Sequence, residues 1–492
     1  MHATKLFPFA LTLVLAACAS VPPIDPASLP AAQASFRETD ARWAALMPTE
    51  AQSRGTWWKA FNDPVLDQLV EQATHSNTSI QVAAARLQQA RALVRSARSA
   101  QLPQVDAAAG AVRQRDQTTF NVPTTLLSVG ADLSYEVDLS GRLAGTTDAA
   151  QLDAQAREAL LQNTRLLVQT SVAQTYFALR ALDDERRMVR ATVVAYRDTL
   201  RLTERRFQAG DVAELDVTRV ASEAAATESD ALALDRSRAE LEHALAVLIG
   251  KVASRFQLAP VEWNAVLPLI PPGVPSTVLA RRPDVSAAER TLLAARARVG
   301  VAQVAWFPNL TLTAAGGIAS PELSDLFQWS ARTWGIGALL SLPVFDGGRR
   351  AAAVQSASAE FDAALAIYRE QILVAFKDVE DELSALRLLA DQADMQTRAV
   401  AAAERTTALS DSRYRNGFVS QLELLDAQRS ELRNRRQAVQ VRSAQYQATV
   451  GLIKALGGDW TEAQVQGSAE SMIASDKQPR DIGRLTDGRS PD

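Results

Sequence analysis

The chain has 492 residues, a net charge of −4, 22% charged residues and only 6% aromatics, a balance that excludes the strongly basic surface of a nucleic-acid binder. Its length admits two or three ordinary domains or one elongated one, and abundant alanine with few aromatics favours long, closely packed helices over a large globular core. Three histidines (His2, His75 and His243), the first of them in the leader, argue against a multi-histidine metal site or histidine-based catalysis, and there is a single cysteine. No catalytic residue, metal or cofactor is expected.

The cysteine is explained by its address. Lys5 precedes an apolar run, Leu6–Ala17, which ends Leu15-Ala16-Ala17-Cys18. That run is too short to span a bilayer and reads as a signal peptide over 1–17. Leu-Ala-Ala-Cys resembles the bacterial lipobox, whose cysteine is acylated and becomes the mature N-terminus, so Cys18 is the expected lipidation site. The competing reading is an ordinary signal peptide with an incidental cysteine. Acyl chains would hold this end to a membrane at ~0.8 kcal/mol per buried methylene. Ala19, rather than aspartate, follows the cysteine; by resemblance to lipoprotein sorting rules this points to the outer membrane. After the leader there is no apolar stretch of the ~18 residues that a spanning helix needs, so any spanning structure must be a β-barrel.

Residues 18–56, rich in proline, alanine and polar residues, read as an extended tether. Then come Trp57-Trp58-Lys59-Ala60-Phe61 and Asp63-Pro64, where aspartate as N-cap and proline in the first turn open a helix. From Ser79 the apolar positions Ile80, Ala83, Leu87, Ala90 and Val94 keep a helical spacing until Pro103. Beyond it the period falls to two. Val105, Ala107, Ala109 and Ala111 alternate with smaller or polar neighbours, and Ala131, Leu133, Tyr135, Val137 and Leu139 alternate with Asp132, Ser134, Glu136 and Asp138. This predicts strands over about 103–116 and 126–139, with Thr118–Thr125 as the loop between them. Gly141-Arg142 closes the second strand. A helix of about 142–208 follows, with Leu161, Val168, Val172, Tyr176 and Leu179 on one stripe, and unbroken it would span on the order of 95 Å. After a turn at Gly210 a return helix covers about 213–249.

The second half repeats the first. Arg206–Val217 reads RFQAGDVAELDV and Arg413–Leu424 reads RYRNGFVSQLEL, so that Gly210 and Gly417 lie 207 residues apart. The same offset relates Gly141-Arg142 to Gly348-Arg349 and Gly250 to Gly457, while Pro103 and Pro308 are 205 apart. Strands are expected over about 308–319 and 332–344, and helices over about 348–415 and 420–456. Ile372, Phe376, Val379, Leu383, Leu386 and Ala390 form a heptad stripe in the first of these helices. The organisation is therefore a first repeat at 57–250, a linker or equatorial segment at 251–280, a second repeat at 281–458, and at 459–492 an equatorial segment with a polar tail expected to be disordered.

Each half supplies two strands and a pair of long helices. Four strands cannot close a membrane barrel, which needs about eight, and an open edge is not tolerated in lipid. Other copies of the chain must complete the sheet. A closed oligomeric tube meets this demand and also gives the alanine-rich helices neighbours on both sides; the bland alternative is a soluble helical protein with an ordinary small sheet.

Trp57 to Trp460 resembles the TolC-type outer membrane efflux factors, in particular their NodT-like lipoprotein branch. The resemblance is carried by Arg281-Arg282-Pro283-Asp284-Val285 with Glu289, by Trp306-Phe307-Pro308, by Phe345-Asp346-Gly347-Gly348-Arg349 and by Arg413-Tyr414-Arg415-Asn416-Gly417. It implies a membrane α+β fold: a homotrimer in which four strands per chain build a twelve-stranded β-barrel in the outer membrane, continued by a long α-helical barrel in the periplasm. It also implies partners, namely a periplasmic adapter protein, an inner-membrane RND-type pump and outer-membrane lipid, and the role of a passive exit duct.

The resemblance further assigns roles at the two glycine turns, read as the periplasmic tips. Gly210 and Gly417 make the turns, and Tyr414 and Asp216 match a tyrosine–aspartate pair that holds the resting pore closed, a charge-assisted bond. Glu423 and Asp426, three apart on one helix face, match acidic rings at the pore constriction that favour cations; the alternative is a solvated helix face. Asp211, Val212, Phe418 and Val419 would face the adapter, with Val419 standing where some relatives carry an arginine. Arg282 and Asp284 flank Pro283 at a helix start and are read as structural. Trp306 and Trp334 belong either to an interfacial aromatic belt or to packing at the helix–strand junction.

Two other function classes compete. A lipidated periplasmic adapter or scaffold also carries coiled-coil hairpins, but normally one hairpin in a lipoyl-like domain, whereas this chain has two hairpins and four amphipathic strands. An envelope hydrolase would need a nucleophile and base, and no such constellation is present. Substrate chemistry is not encoded in a duct that accepts cargo from a pump.

Overall fold

The computed structural model describes residues 23–25, 29–31, 35–38, 56–115, 123–263, 265–268, 270, 278–279 and 281–458. The leader with Cys18, the segment from 459 onward and most of the loop expected at 118–125 lie outside them. The chain divides into two compact units, one of Met1–Ala31, Gln81–Leu161 and Asp284–Val374, the other of Ala32–Ile80, Gln162–Pro283 and Ala375–Asp492.

In chain order the elements are α1 (Pro64–Ser76), α2 (Thr78–Ser99), β1 (Gln104–Arg115), β2 (Pro123–Val137), α3 (Arg142–Gln208), α4 (Glu214–Leu248), α5 (Pro283–Val304), β3 (Asn309–Ser320), β4 (Arg332–Ser341), α6 (Arg349–Arg415) and α7 (Gln421–Ala455). Among the described residues no helix is long and apolar enough to cross a membrane. The duplication is visible in the lengths: α3 and α6 each have 67 residues, and α4 and α7 each have 35.

The first unit holds one antiparallel sheet in the order β1-β2-β3-β4. Its register sorts the side chains cleanly, because neighbours alternate between the two faces. Val105 pairs with Leu133, Leu133 with Ala314 and Ala314 with Ile336, so these residues share one apolar face. Asp106, Asp132 and Thr313 fall on the other, with Glu136 and Thr311 beside them. Two strand boundaries differ from the sequence reading. β2 begins at Pro123 rather than after Thr125, because proline at the first position of a strand forfeits no ladder bond. β4 ends at Ser341, before Pro343, which has no N–H to donate.

Two aspartates bind the backbone where strand gives way to helix. Asp138 accepts the amides of Leu143 (3.2 Å) and Ala144 (2.8 Å) at the start of α3. Asp346 accepts the Gly348 amide (3.1 Å) and the Arg350 amide (3.2 Å), and the Arg350 Nε at 2.7 Å. The Arg350 guanidinium lies 4.3 Å above the Trp306 ring, which makes Trp306 a junction residue. Trp334, by contrast, is 81% exposed on the apolar sheet face.

In the second unit the heptad stripes are buried. Val172, Tyr176 and Leu179 of α3 are all but inaccessible, and Val379, Leu383 and Leu386 of α6 form a cluster with Leu452 and Phe36. Phe36 belongs to the segment read as an extended tether. It is buried, and the amides of Arg37 (2.8 Å) and Glu38 (3.0 Å) donate to the Glu380 carboxylate, so this stretch docks on the helices. The described part of the linker docks as well. Arg180 donates to the Ala259 carbonyl (2.9 Å) and Arg442 to the Trp263 carbonyl (3.0 Å), while Trp263 packs 4.6 Å from the Tyr446 ring. Asp63 caps α1 by accepting from Val65 and Leu66, and also receives the Tyr176 hydroxyl at 2.6 Å.

Arg282 repeats in the second half what Asn77 does in the first. Asn77 Nδ2 donates to the Leu248 carbonyl at the end of α4 (2.8 Å), and Arg282 Nη1 donates to the Ala455 carbonyl at the end of α7 (3.2 Å). Arg282 also pairs with Asp378 at 3.1 Å. Its role here is to tie down a helix end.

Candidate functional site

Both glycine turns lie in the second unit and are built the same way. At the end of α3 the Gly210 amide donates to the Phe207 carbonyl (2.9 Å) and the Asp211 amide to the Arg206 carbonyl (2.8 Å). At the end of α6 the Gly417 amide donates to Tyr414 (3.0 Å) and the Phe418 amide to Arg413 (2.9 Å). This pair of bonds is the Schellman cap, which requires a left-handed residue at its centre, and φ is 80° at Gly210 and 75° at Gly417. A Cβ at either glycine would meet nothing within 4 Å, so conformation alone selects glycine there.

Around these turns the predicted residues take distinct places. Asp211, Glu423 and Asp426 are exposed, as is Phe418 at 76%, while Val212 and Val419 are half-buried. Asp216 is half-buried and its carboxylate lies 3.9 Å from Arg219 one turn on. The Tyr414 hydroxyl accepts from Arg206 Nη1 at 3.2 Å, with the same guanidinium 5.6 Å from the tyrosine ring. Within one chain, then, the structure brings Tyr414 to Arg206 and Asp216 to Arg219. Glu423 lies 3.9 Å from Arg413, and Asp426 lies 3.4 Å from Arg429.

Behind the tips the hairpins are held by residues that the sequence reading did not single out. Arg429 of α7 pairs with Glu223 of α4, its Nε donating at 2.8 Å, and this hydrogen bond holds the Glu223 carboxyl below its usual range. Arg436 reaches both Glu185 of α3 (2.7 Å) and Asp230 of α4 (3.2 Å). The readable signal is spacing: Arg429 and Arg436 are seven apart on one helix, Glu223 and Asp230 seven apart on another, a heptad of complementary charge. Gln421 donates to Thr203 at 2.9 Å inside the same packing, and Tyr196, Val220, Ala224 and Leu425 form the apolar cluster beside it. Among the described residues no cluster of three or more His, Cys, Asp or Glu could hold a metal ion.

Comparison with known proteins agrees with this architecture. A family model described as outer membrane efflux protein matches residues 69–251 and 274–458, one match to each repeat. The chain is 34% identical over 469 residues to the pyoverdine export outer membrane protein OpmQ of Pseudomonas aeruginosa, covering 93% of this chain and 97% of that one. It is 31% identical over 478 residues to the toluene efflux pump outer membrane protein TtgC of Pseudomonas putida, covering 94% and 97%. Among solved structures, the Campylobacter jejuni CmeC outer membrane channel superposes with a TM-score of 0.82 at 25% identity, covering 93% of this chain and 98% of that one.

Proposed function

The chain belongs to the outer membrane efflux protein family and is an outer-membrane efflux channel; from that premise we propose that three copies form the passive exit duct of a tripartite system. The observation that carries the assembly is the sheet: four strands, one apolar face, and two open edges, β1 and β4. Four strands cannot close and an edge cannot stay open in lipid, so the edges must pair between copies. Three copies make twelve strands, and the long helices of each copy continue the tube into the periplasm. Cys18 carries the acyl anchor.

The duct catalyses nothing. An inner-membrane pump of the RND type and a periplasmic adapter deliver the substrate to the tips, where Asp211, Val212, Phe418 and Val419 offer the docking surface. OpmQ is named for pyoverdine and TtgC for toluene; cargo chemistry in such a system is set by the pump. Tyr414, Asp216 and Arg206 form the closing network. A phenol can accept from one donor while giving its own proton to another group, so Tyr414 can receive Arg206 and donate to an aspartate at once. Arg206 also supplies a guanidinium at a tip where Val419 provides none. Glu423 and Asp426, exposed beside the turn, concentrate negative potential at the constriction and favour cations.

The direct test is fractionation of cells expressing the full chain with labelled fatty acid. The proposal predicts a heat-modifiable trimer in the outer membrane that loses label when Cys18→Ser is introduced. A monomer that co-fractionates with the inner membrane would refute it.

A further inference from the structure

The apolar face of the sheet carries charge at one end only. In β1 the sequence Val105, Ala107, Ala109, Ala111 continues to Arg113 and Arg115, and in β4 Arg332 precedes Trp334, Ile336, Ala338 and Leu340. The register confirms the placement: Arg113 pairs with Thr125, and Arg332 with Ile318, which stands in line with Leu312 and Ala314. These three arginines are the only charged residues of the four strands on that face, and all lie at the end remote from the helices. The carboxylates Asp106, Asp132 and Glu136 stand on the opposite face.

We propose that Arg113, Arg115 and Arg332 form a binding site for the phosphates of an outer-leaflet lipid headgroup at each seam between copies, an inference that rests on the barrel reading above. β1 and β4 are the two edges, so closure brings the β4 of one copy beside the β1 of the next. β4 starts at the loop end and β1 finishes there, so an antiparallel seam brings Arg332 of one copy to the same end as Arg113 and Arg115 of its neighbour. The two sets of arginines lie at opposite edges of the isolated sheet and meet only in the assembly.

The position suits a headgroup. β4 has ten residues; at ~3.3 Å each and a tilt near 40° these rise about 25 Å, the height of the apolar band of such barrels. Arg332 therefore stands at the outer rim of the hydrocarbon, where a charge is tolerated far better than at the midplane. Its guanidinium lies 3.4 Å from the centre of the Trp329 ring, which fixes the cation in place. Phe327 (80% exposed) and Trp329 (78%) continue the exposed apolar stripe of Trp334 and Ile336 beyond the strand, at the level where aromatic rings meet headgroups. Among the described residues none of the three arginines has a carboxylate partner, and planar guanidinium groups grip phosphate in bidentate fashion.

The test is native mass spectrometry of the full chain in detergent, with diphosphorylated lipid A or its dephosphorylated form as probe. The proposal predicts a trimer that retains up to three diphosphorylated lipids, at least tenfold more tightly than the dephosphorylated form. In R113Q/R115Q/R332Q that preference disappears while the trimer mass remains. Equal retention of the two lipids, or an unchanged preference in the variant, would overturn the site while leaving the channel intact. If the triple variant does not assemble, R332Q alone must weaken the preference severalfold, and no change there overturns the proposal. A wild-type chain with no trimer mass would instead overturn the assembly on which the site depends.

Discussion

The Tyr414 hydroxyl accepts a hydrogen bond from Arg206 Nη1 at 3.2 Å, which ties the end of one long helix to the end of the other. The Tyr414 pairing suggested by the family named Asp216, whereas the chain itself supplies Arg206, a residue that aligned with Arg413 in the repeat but carried no assigned role. Its partner sits 208 residues away, and nothing local reports such a contact. Phe36 was equally silent: one aromatic in a segment of prolines and alanines has no period, although it is buried against Val379 and Leu383. Glu382 offers a test at this scale. Its carboxyl lies so close to Gly451 that any Cβ there would collide with it. Burial pushes it up to about 7; Lys454 and Lys377 pull it down, and Asp378 and Asp381 push it further up. Because the folded state holds this proton more tightly than the unfolded chain, whose glutamate titrates near ~4.3, the group favours folding at acid pH. That contribution is lost as pH rises through about 7. Thermal midpoints of the wild type should therefore fall between pH ~5 and ~8 by more than those of Glu382→Gln. Parallel pH profiles would contradict the assignment.

At the scale of elements, the duplication was the most legible feature, because glycine and proline punctuate long helical patterns at a nearly constant offset. The helix ends explain why glycine recurs. Gly250 and Gly457 form the same cap as the tip glycines, with φ of 71° and 87°. Their surroundings differ. A Cβ at Gly250 would lie 2.5 Å from the Ser76 carbonyl oxygen, and one at Gly457 2.6 Å from that of Arg281, whereas Gly210 and Gly417 face open space. Alanine at either tip should cost about 1–2 kcal/mol from backbone strain alone. Alanine at Gly250 or Gly457 should cost more, because the backbone of the neighbouring turn must also shift. Thermal midpoints of the four variants would measure this, and equal losses at all four would count against it. The strands were legible through their period of two, but their ends were set by Pro123 and Pro343, which periodicity does not register.

For the whole molecule, one chain leaves too much undone to function alone. Its sheet has two open edges, and Leu160, Leu167, Ile367 and Leu373 are exposed on its long helices. The need for further copies was legible from four amphipathic strands and the rule that lipid tolerates no edge. The arginine bridges from Arg429 and Arg436 were not, because complementary heptads identify partners only once it is known which helices are neighbours. On the assembly proposed above, these copies enclose a conducting tube narrowed at its tips. Planar-bilayer recording of the purified full chain, comparing the wild type with Asp216→Ala/Tyr414→Phe, is the decisive measurement. The expected result is a cation-preferring pore whose single-channel conductance rises severalfold in the variant. A chain that forms no pore with or without these substitutions would rule out the conducting tube.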